Sequence, residues 1–295
     1  MTDARTDGKT LSLAHAAEVA ESHFQAGNWQ GAEFIFTQLA QALPAITHSH
    51  ARVIERLERL DDALAAYARW LALGQEPLPA AFDADYLAAL RDTRNPILPL
   101  PRRRRFSRLG ELFTEASGVD GAVAECGCFR GLSAYFLCAQ ERRRTPGYDG
   151  KDFFRFDSFA GLSLPTEEDR IADDLENADA LRRMSHPGAF AASLADVREH
   201  LRDFPGVTLH PGWIPDAFEG LPERHYRFVN LDVDLFEPTH ESLEYFYPRL
   251  APGGLIVSDD YSWPGARRAR EDYAARVAAP LETTPLGQAI LRKSR

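Results

Sequence analysis

The sequence predicts an α/β protein, a doubly wound Rossmann-like sheet preceded by an α-helical segment. Three observations carry this. From about residue 106, short apolar runs alternate with helical patterns, the signature of βαβ units with helices on both faces of a parallel sheet. Several of those runs end at glycine or aspartate, at the strand ends where open parallel sheets collect their ligands. Residues 11–75, in contrast, are alanine-rich with apolar residues at spacings of three and four, a helical period without strand signals.

Within that first segment, Ala32 and Phe36 follow Gly27-Asn28-Trp29, and Ala63 and Tyr67 follow Arg59-Leu60-Asp61. This weak internal echo resembles two degenerate tetratricopeptide-like (TPR-like) hairpins over residues 1–75. So few repeats need something to lean on, either the following domain or a second subunit, so a homo-oligomer is expected. Residues 76–105 read as a connector, because Pro77, Pro79, Pro96, Pro99 and Pro101 break regular elements around one helix-like patch at 82–90. The four arginines at 102–105 read as a solvated face or linker. Residues 106–295 read as the main α/β domain. Helix is expected at 108–116, 132–143, 190–204, 239–250 and 264–277. Strands are expected at 122–125, 153–156, 207–210, 228–231 and 255–258. Pro238 stands at a helix start, where its missing N–H is tolerated.

Composition narrows the function classes. The 295 residues are 44% hydrophobic and 26% charged, as in soluble globular proteins. No apolar run approaches the roughly 20 residues of a membrane span, and MTDARTDGKT lacks the features of a signal peptide, so a cytoplasmic protein is expected. A net charge of −10 argues against nucleic acid as the main partner. Cys126, Cys128 and Cys138 lie in apolar sequence without the second Cys/His pair of a zinc site, and read as small core residues.

Four strand ends carry candidate chemistry. Glu125-Cys126-Gly127-Cys128-Phe129-Arg130-Gly131 is an E-x-G-x-x-x-G turn, in which Gly127 permits close approach of a ligand and Glu125 suits an ammonium group. Asp157 ends the second strand, where an aspartate either caps a turn or holds the hydroxyls of a ribose. Gly212-Trp213 follows the third strand, as core or as the wall of an adenine pocket. Asp232 and Asp234, in LDVD, and Asp259 and Asp260, in SDDY, follow the last two apolar strands. Such a concentration of carboxylates repels itself unless protons or a divalent cation neutralise it, and hard cations such as Mg²⁺ take oxygen ligands. A D-x-D pair is also the metal-holding element of glycosyltransferases, which leaves that class as the alternative, with a non-catalytic interaction module as a third.

AECGCFRG, DSFAGL, PGWIPDAF, NLDVDLFEPT and GGLIVSDDYSWPGARRAREDY, in that order, resemble the macrocin O-methyltransferase (TylF/MycF-like) family over about residues 104–295, and PLGQAILRK is similar to its closing hairpin. The resemblance implies a class I fold that binds S-adenosylmethionine, and a Mg²⁺ ion that holds adjacent hydroxyls of a sugar or similar small-molecule acceptor. It implies that Glu125 and Gly127 meet the methionine part, Asp157 holds the ribose and Gly212 and Trp213 border the adenine. Phe129, Ser133, Ser158 and Asp232 complete the cofactor contacts. The metal ligands would be Asp232, Asp259 and Asp260. Related catechol methyltransferases carry a lysine base after the first metal aspartate. Here Val233-Asp234-Leu235 offers none, so Asp232 or Asp234 is the candidate base. The polar, acidic stretch at 164–184 has the length and lack of apolar periodicity expected of a lid over the acceptor.

Overall fold

The computed structural model describes residues 4–6, 9–11, 13–42, 47–56, 59–72, 78–97, 100–175 and 178–294, which fall into two compact units, Met1–Pro99 and Leu100–Arg295. In the first unit, strands β1 (Ala4–Thr6) and β2 (Lys9–Leu11) pair antiparallel and five helices follow: α1 (Leu13–Gln25), α2 (Trp29–Ala42), α3 (Thr47–Arg56), α4 (Leu60–Ala72) and α5 (Ala80–Asp92). From α1 to α4, each helix packs against the next. Ala20, Ala32, Phe36 and Val53 form a buried cluster, so the helical period read in the sequence is the packing face. Between α1 and α2 the chain turns at Gly27 (φ +76°), and the Asn28 side chain accepts the Gly31 N–H at 3.1 Å.

The expected connector is more helical than its prolines suggested. Pro79 is the residue that precedes α5, and Pro101 is the second residue of α6 (Leu100–Glu115). Both are positions where no backbone N–H is needed. The four arginines at 102–105 therefore lie within a helix of the second unit.

That unit continues with β3 (Ala122–Cys126), α7 (Leu132–Arg144), β4 (Phe153–Asp157), α8 (Ala178–Met184), α9 (Leu194–His200), β5 (Thr208–Pro211), β6 (Tyr226–Leu231), α10 (Phe236–Phe246), β7 (Leu250–Ser258), α11 (Pro264–Arg276), β8 (Leu281–Thr283) and β9 (Ala289–Arg292). Seven strands form one sheet in the order β5-β4-β3-β6-β7-β9-β8; the first five are parallel, and β9 runs antiparallel to both β7 and β8. This is the expected doubly wound sheet with a closing hairpin. Helix α9 is shorter than the 190–204 read from the sequence. Phe190 has a positive φ of 61°, and Ser193 caps the helix by accepting the Asp196 N–H at 3.0 Å.

β3, β6 and β7 are buried on both faces, as central parallel strands must be. Beneath the sheet, Phe156, Phe218, Tyr226 and Phe246 meet edge to face with ring centroids 4.9–5.2 Å apart. The three cysteines are free and buried, as read from the sequence. Among the described residues, no helix is long and apolar enough to cross a membrane.

Candidate active site

Strand register assembles the site. Cys126 of β3 lies beside Leu231 of β6, and Leu231 beside Ser258 of β7. The next residue of each strand, Gly127, Asp232 and Asp259, therefore emerges at one edge of the sheet. The Asp232 N–H bonds the Cys126 carbonyl at 2.9 Å, and the Asp259 N–H bonds Leu231 at 3.2 Å. Gly127 (φ +79°) is required by this crossing, because a Cβ there would sit 1.8 Å from the Asp232 carbonyl oxygen. Its missing side chain makes room for the neighbouring backbone.

Asp232, Asp234 and Asp260 each offer a carboxylate oxygen within 4.8 Å of the others. Asp234 turns back through a positive φ of 60°, and its N–H bonds the Asp260 carboxylate at 3.1 Å. Burial raises the pKa of Asp232 well above the usual carboxylate range, and Asp260, Asp259 and Asp234 push it further. Asp234 is raised by burial and then by Asp260. The donor set is all oxygen and crowded with like charge, so it fits a hard divalent cation.

Asp259 stands apart from that trio, which differs from the set read by resemblance. Its carboxylate pairs with Arg105 at 3.2 Å and Arg102 at 3.9 Å, and Arg105 also donates to its carbonyl at 2.7 Å. Burial raises the Asp259 pKa while the two arginines oppose it. The arginine run is thus partly drawn into the site. Its long-range partner left no mark on the local sequence.

The other strand ends form a second cluster. The two Asp157 oxygens accept the N–H groups of Cys128 and Phe159, both at 2.6 Å, which ties the turn after β3 to β4. Gly212 (φ +151°) donates its N–H to the Asp157 carbonyl at 2.9 Å, so Trp213 stands near that carboxylate, and its side chain is 46% exposed. The core alternative for Trp213 is therefore not what is seen. Phe129 meets the partly exposed Phe190 edge to face at 6.0 Å. Ser133 is buried in the first turn of α7, and Ser158 donates to Gly161 at 2.9 Å within its own turn.

Glu125, read in the sequence as a ligand-facing carboxylate, is fully buried. It pairs with Arg155, also fully buried, and accepts the Asn230 side-chain amide at 2.9 Å. Arg155 in FFRFD sits on a strand covered on both faces, so no period-two pattern announced the pairing.

The loop at 164–184 carries a short 3₁₀ turn, Glu167–Asp169, closed by a capping box with Thr166. Asp169 is buried and accepts the Phe236 N–H at 2.6 Å, two residues beyond Asp234. Its carboxylate also occupies the space where Gly265 of α11 would carry a side chain. Beside this anchor opens a cleft of about 650 Å³ lined by Glu168, Arg170, Asp173, Arg182, Pro264 and Arg268, among others.

A mixed seven-stranded sheet with ligand-ready strand ends is the architecture of the Rossmann-like methyltransferases. The O-methyltransferase NovP superposes with a TM-score of 0.54 at 23% identity, covering 70% of this chain and 88% of that one. A calicheamicin methyltransferase gives 0.55 at 21%, covering 73% and 94%. Residues 78–290 match the macrocin-O-methyltransferase (TylF) family, and the chain belongs to it. A tetracenomycin-C rhamnosyl 4'-O-methyltransferase of Streptomyces olivaceus is 34% identical over 165 residues, 55% of this chain and 60% of that protein. Mycinamicin III 3''-O-methyltransferase of Micromonospora griseorubida is 31% identical, over 54% and 62%. The chain thus spans about three fifths of the length of the curated relatives it matches.

Proposed function

We propose that this protein is an S-adenosylmethionine-dependent O-methyltransferase acting on a hydroxyl of a sugar or another natural-product acceptor with adjacent hydroxyls, with Mg²⁺ at the Asp232/Asp234/Asp260 group. The observation that carries this reading is the convergence of those three carboxylates beside the turn after β3. Family membership supports the methyl donor, and the relatives named for O-methylation of sugar-bearing products support the acceptor class.

In this reading the donor lies across the ends of β3, β4 and β5. The Gly127 turn approaches its methionine part, Asp157 receives the ribose hydroxyls on the lone pairs its two N–H partners leave open, and Trp213 covers the adenine. Mg²⁺, when bound, lowers the pKa of an acceptor hydroxyl and orients it. Asp232 and Asp260 would hold the ion, and one of Asp232 and Asp234 would take the hydroxyl proton. S-adenosylmethionine, when bound there, would supply its sulfonium methyl to that oxygen and leave as a neutral thioether. Alignment of the two reactants supplies much of the acceleration. The cleft under the loop at 164–184 gives the acceptor its approach, and that loop closes over it.

Calorimetric titration with S-adenosylhomocysteine, with and without Mg²⁺, tests the reading. Saturable binding is expected that Asp157→Ala weakens and Asp260→Asn leaves intact. Absence of binding under both conditions would sink it.

A further inference from the structure

Arg270 of α11 is 1% exposed, and its Nε, Nη1 and Nη2 find no hydrogen-bond acceptor among the described residues. A guanidinium stripped of water and of hydrogen bonds is among the costliest groups to bury, so charge must compensate it. Four carboxylates act on it, Asp260 most strongly and then Asp232, Asp234 and Asp259, while burial holds its pKa below the usual arginine value. Asp260 precedes the turn into α11, Arg270 lies inside that helix, and Asp234 bonds Asp260, so the buried guanidinium sits within the field of the acidic trio. On another side, Arg102 and Arg105 of α6 face Asp259.

The charges nearly balance. Four carboxylates against three guanidiniums leave one negative charge. A divalent ion overshoots to one positive, and an acceptor oxygen restores neutrality once Asp232 or Asp234 has passed its proton on to solvent.

We propose that Arg270 is an internal counter-cation that holds down the divalent-ion affinity of the Asp232/Asp234/Asp260 group, so that the ion is bound tightly only together with a deprotonated acceptor oxygen. This rests on the ion-site reading above. A site built from carboxylates alone would satisfy a divalent ion before any acceptor arrived and draw less charge from the acceptor hydroxyl. A fixed cation in the field of the ligands leaves the bound ion short of negative charge, and the acceptor oxygen supplies it. Arg270 touches neither acceptor nor donor, so it acts by positioning charge.

Mn²⁺ binding to the full chain without acceptor or donor, followed by the electron paramagnetic resonance signal of the free ion, tests this. Arg270→Met removes the charge and keeps an unbranched apolar stem. It is expected to tighten Mn²⁺ binding by about a hundredfold or more, since one unit charge acting on a divalent ion at an effective dielectric of about 20 is worth several kcal/mol out to about 10 Å. Arg270→Lys keeps the charge and should stay near the native value. Arg102→Met, at a partly exposed position, should shift affinity the same way by less, and it decides the matter if Arg270→Met does not fold. A structural defect alone would weaken binding. Unchanged or weaker binding in Arg270→Met, or in Arg102→Met where only that variant folds, with Asp260→Asn abolishing binding, would overturn the role of Arg270 and leave the ion site standing. Equal binding by the native chain and Asp260→Asn would remove the ion site, and this inference with it.

Discussion

The two halves of the strand-end crevice are built on opposite principles. At β3, β4 and β5 the carboxylates have found partners: Asp157 takes two backbone N–H groups, and Glu125 has Arg155 and Asn230. At β6 and β7 three carboxylates crowd within 4.8 Å of one another. The first half is organised before any ligand arrives, which keeps the ordering cost of binding small. The second keeps three carboxylates crowded together despite the arginines around them, and in the proposed reading a bound ion relieves that crowding. Under the proposed function, a crevice of this kind would separate recognition of the donor from activation of the acceptor.

The largest test of that contrast attacks the point where the halves touch. Gly127→Ala places a methyl against the Asp232 carbonyl oxygen and a side chain in left-handed backbone, which costs about 1–3 kcal/mol for the conformation alone. Thermal unfolding should show a substantial loss, with donor binding and turnover falling together.

Next in size, Asp232→Asn or Asp260→Asn should reduce kcat by about a thousandfold or more, the scale of losing ion-based activation, while S-adenosylhomocysteine affinity changes little. Parallel loss of donor affinity would show that the halves are not separable. Asp234→Asn compared with Asp232→Asn assigns the proton acceptor, because loss of a general base costs about 10²–10⁴ in rate.

A smaller effect is expected of the ordered half. Asp157→Ala should weaken donor affinity about tenfold or more, since two N–H groups and the ribose lose one acceptor together. Trp213→Ala should cost less, because a half-exposed ring contributes mainly stacking. Both are read by calorimetry.

The smallest effect is on the pH dependence of folding. Asp232, Asp234 and Asp259 have folded pKa values raised above their unfolded ones, so each holds its proton more tightly when folded. Their contribution to stability is fully present below the ordinary aspartate range near about 4 and is lost as pH rises through the raised values. In chelator the melting temperature should therefore decline as pH rises above the ordinary aspartate range through these groups. Added Mg²⁺ should remove most of that decline. A melting temperature that rises with pH in both conditions would contradict the crowding.

Much of the fold was legible because central parallel strands must be apolar on both faces, and their runs end in glycine or aspartate where the chain leaves the sheet. The acidic residues that meet were legible for the same reason. Their grouping was not, because the turn of Asp234 through positive φ and the capture of Asp259 by Arg105 depend on contacts 26 and 154 residues apart. The arginine run looked solvated since nothing nearby in sequence opposes it. Arg155 and Arg270 were passed over because a charged residue inside a strand or helix pattern ordinarily faces water, and only the assembled layers show that these two do not.

The anchor at Asp169 has a consequence for descent. Bonded to the Phe236 N–H and wedged against Gly265, it ties one end of the 164–184 stretch to the strand-end carboxylates. Arg170, Asp173 and Arg182 lie beyond that tether and line the cleft. Mutations there can redraw the shape that greets an incoming molecule while the reacting atoms keep their places. New specificities can then arise by rewriting one short stretch of chain, with the chemistry inherited unchanged.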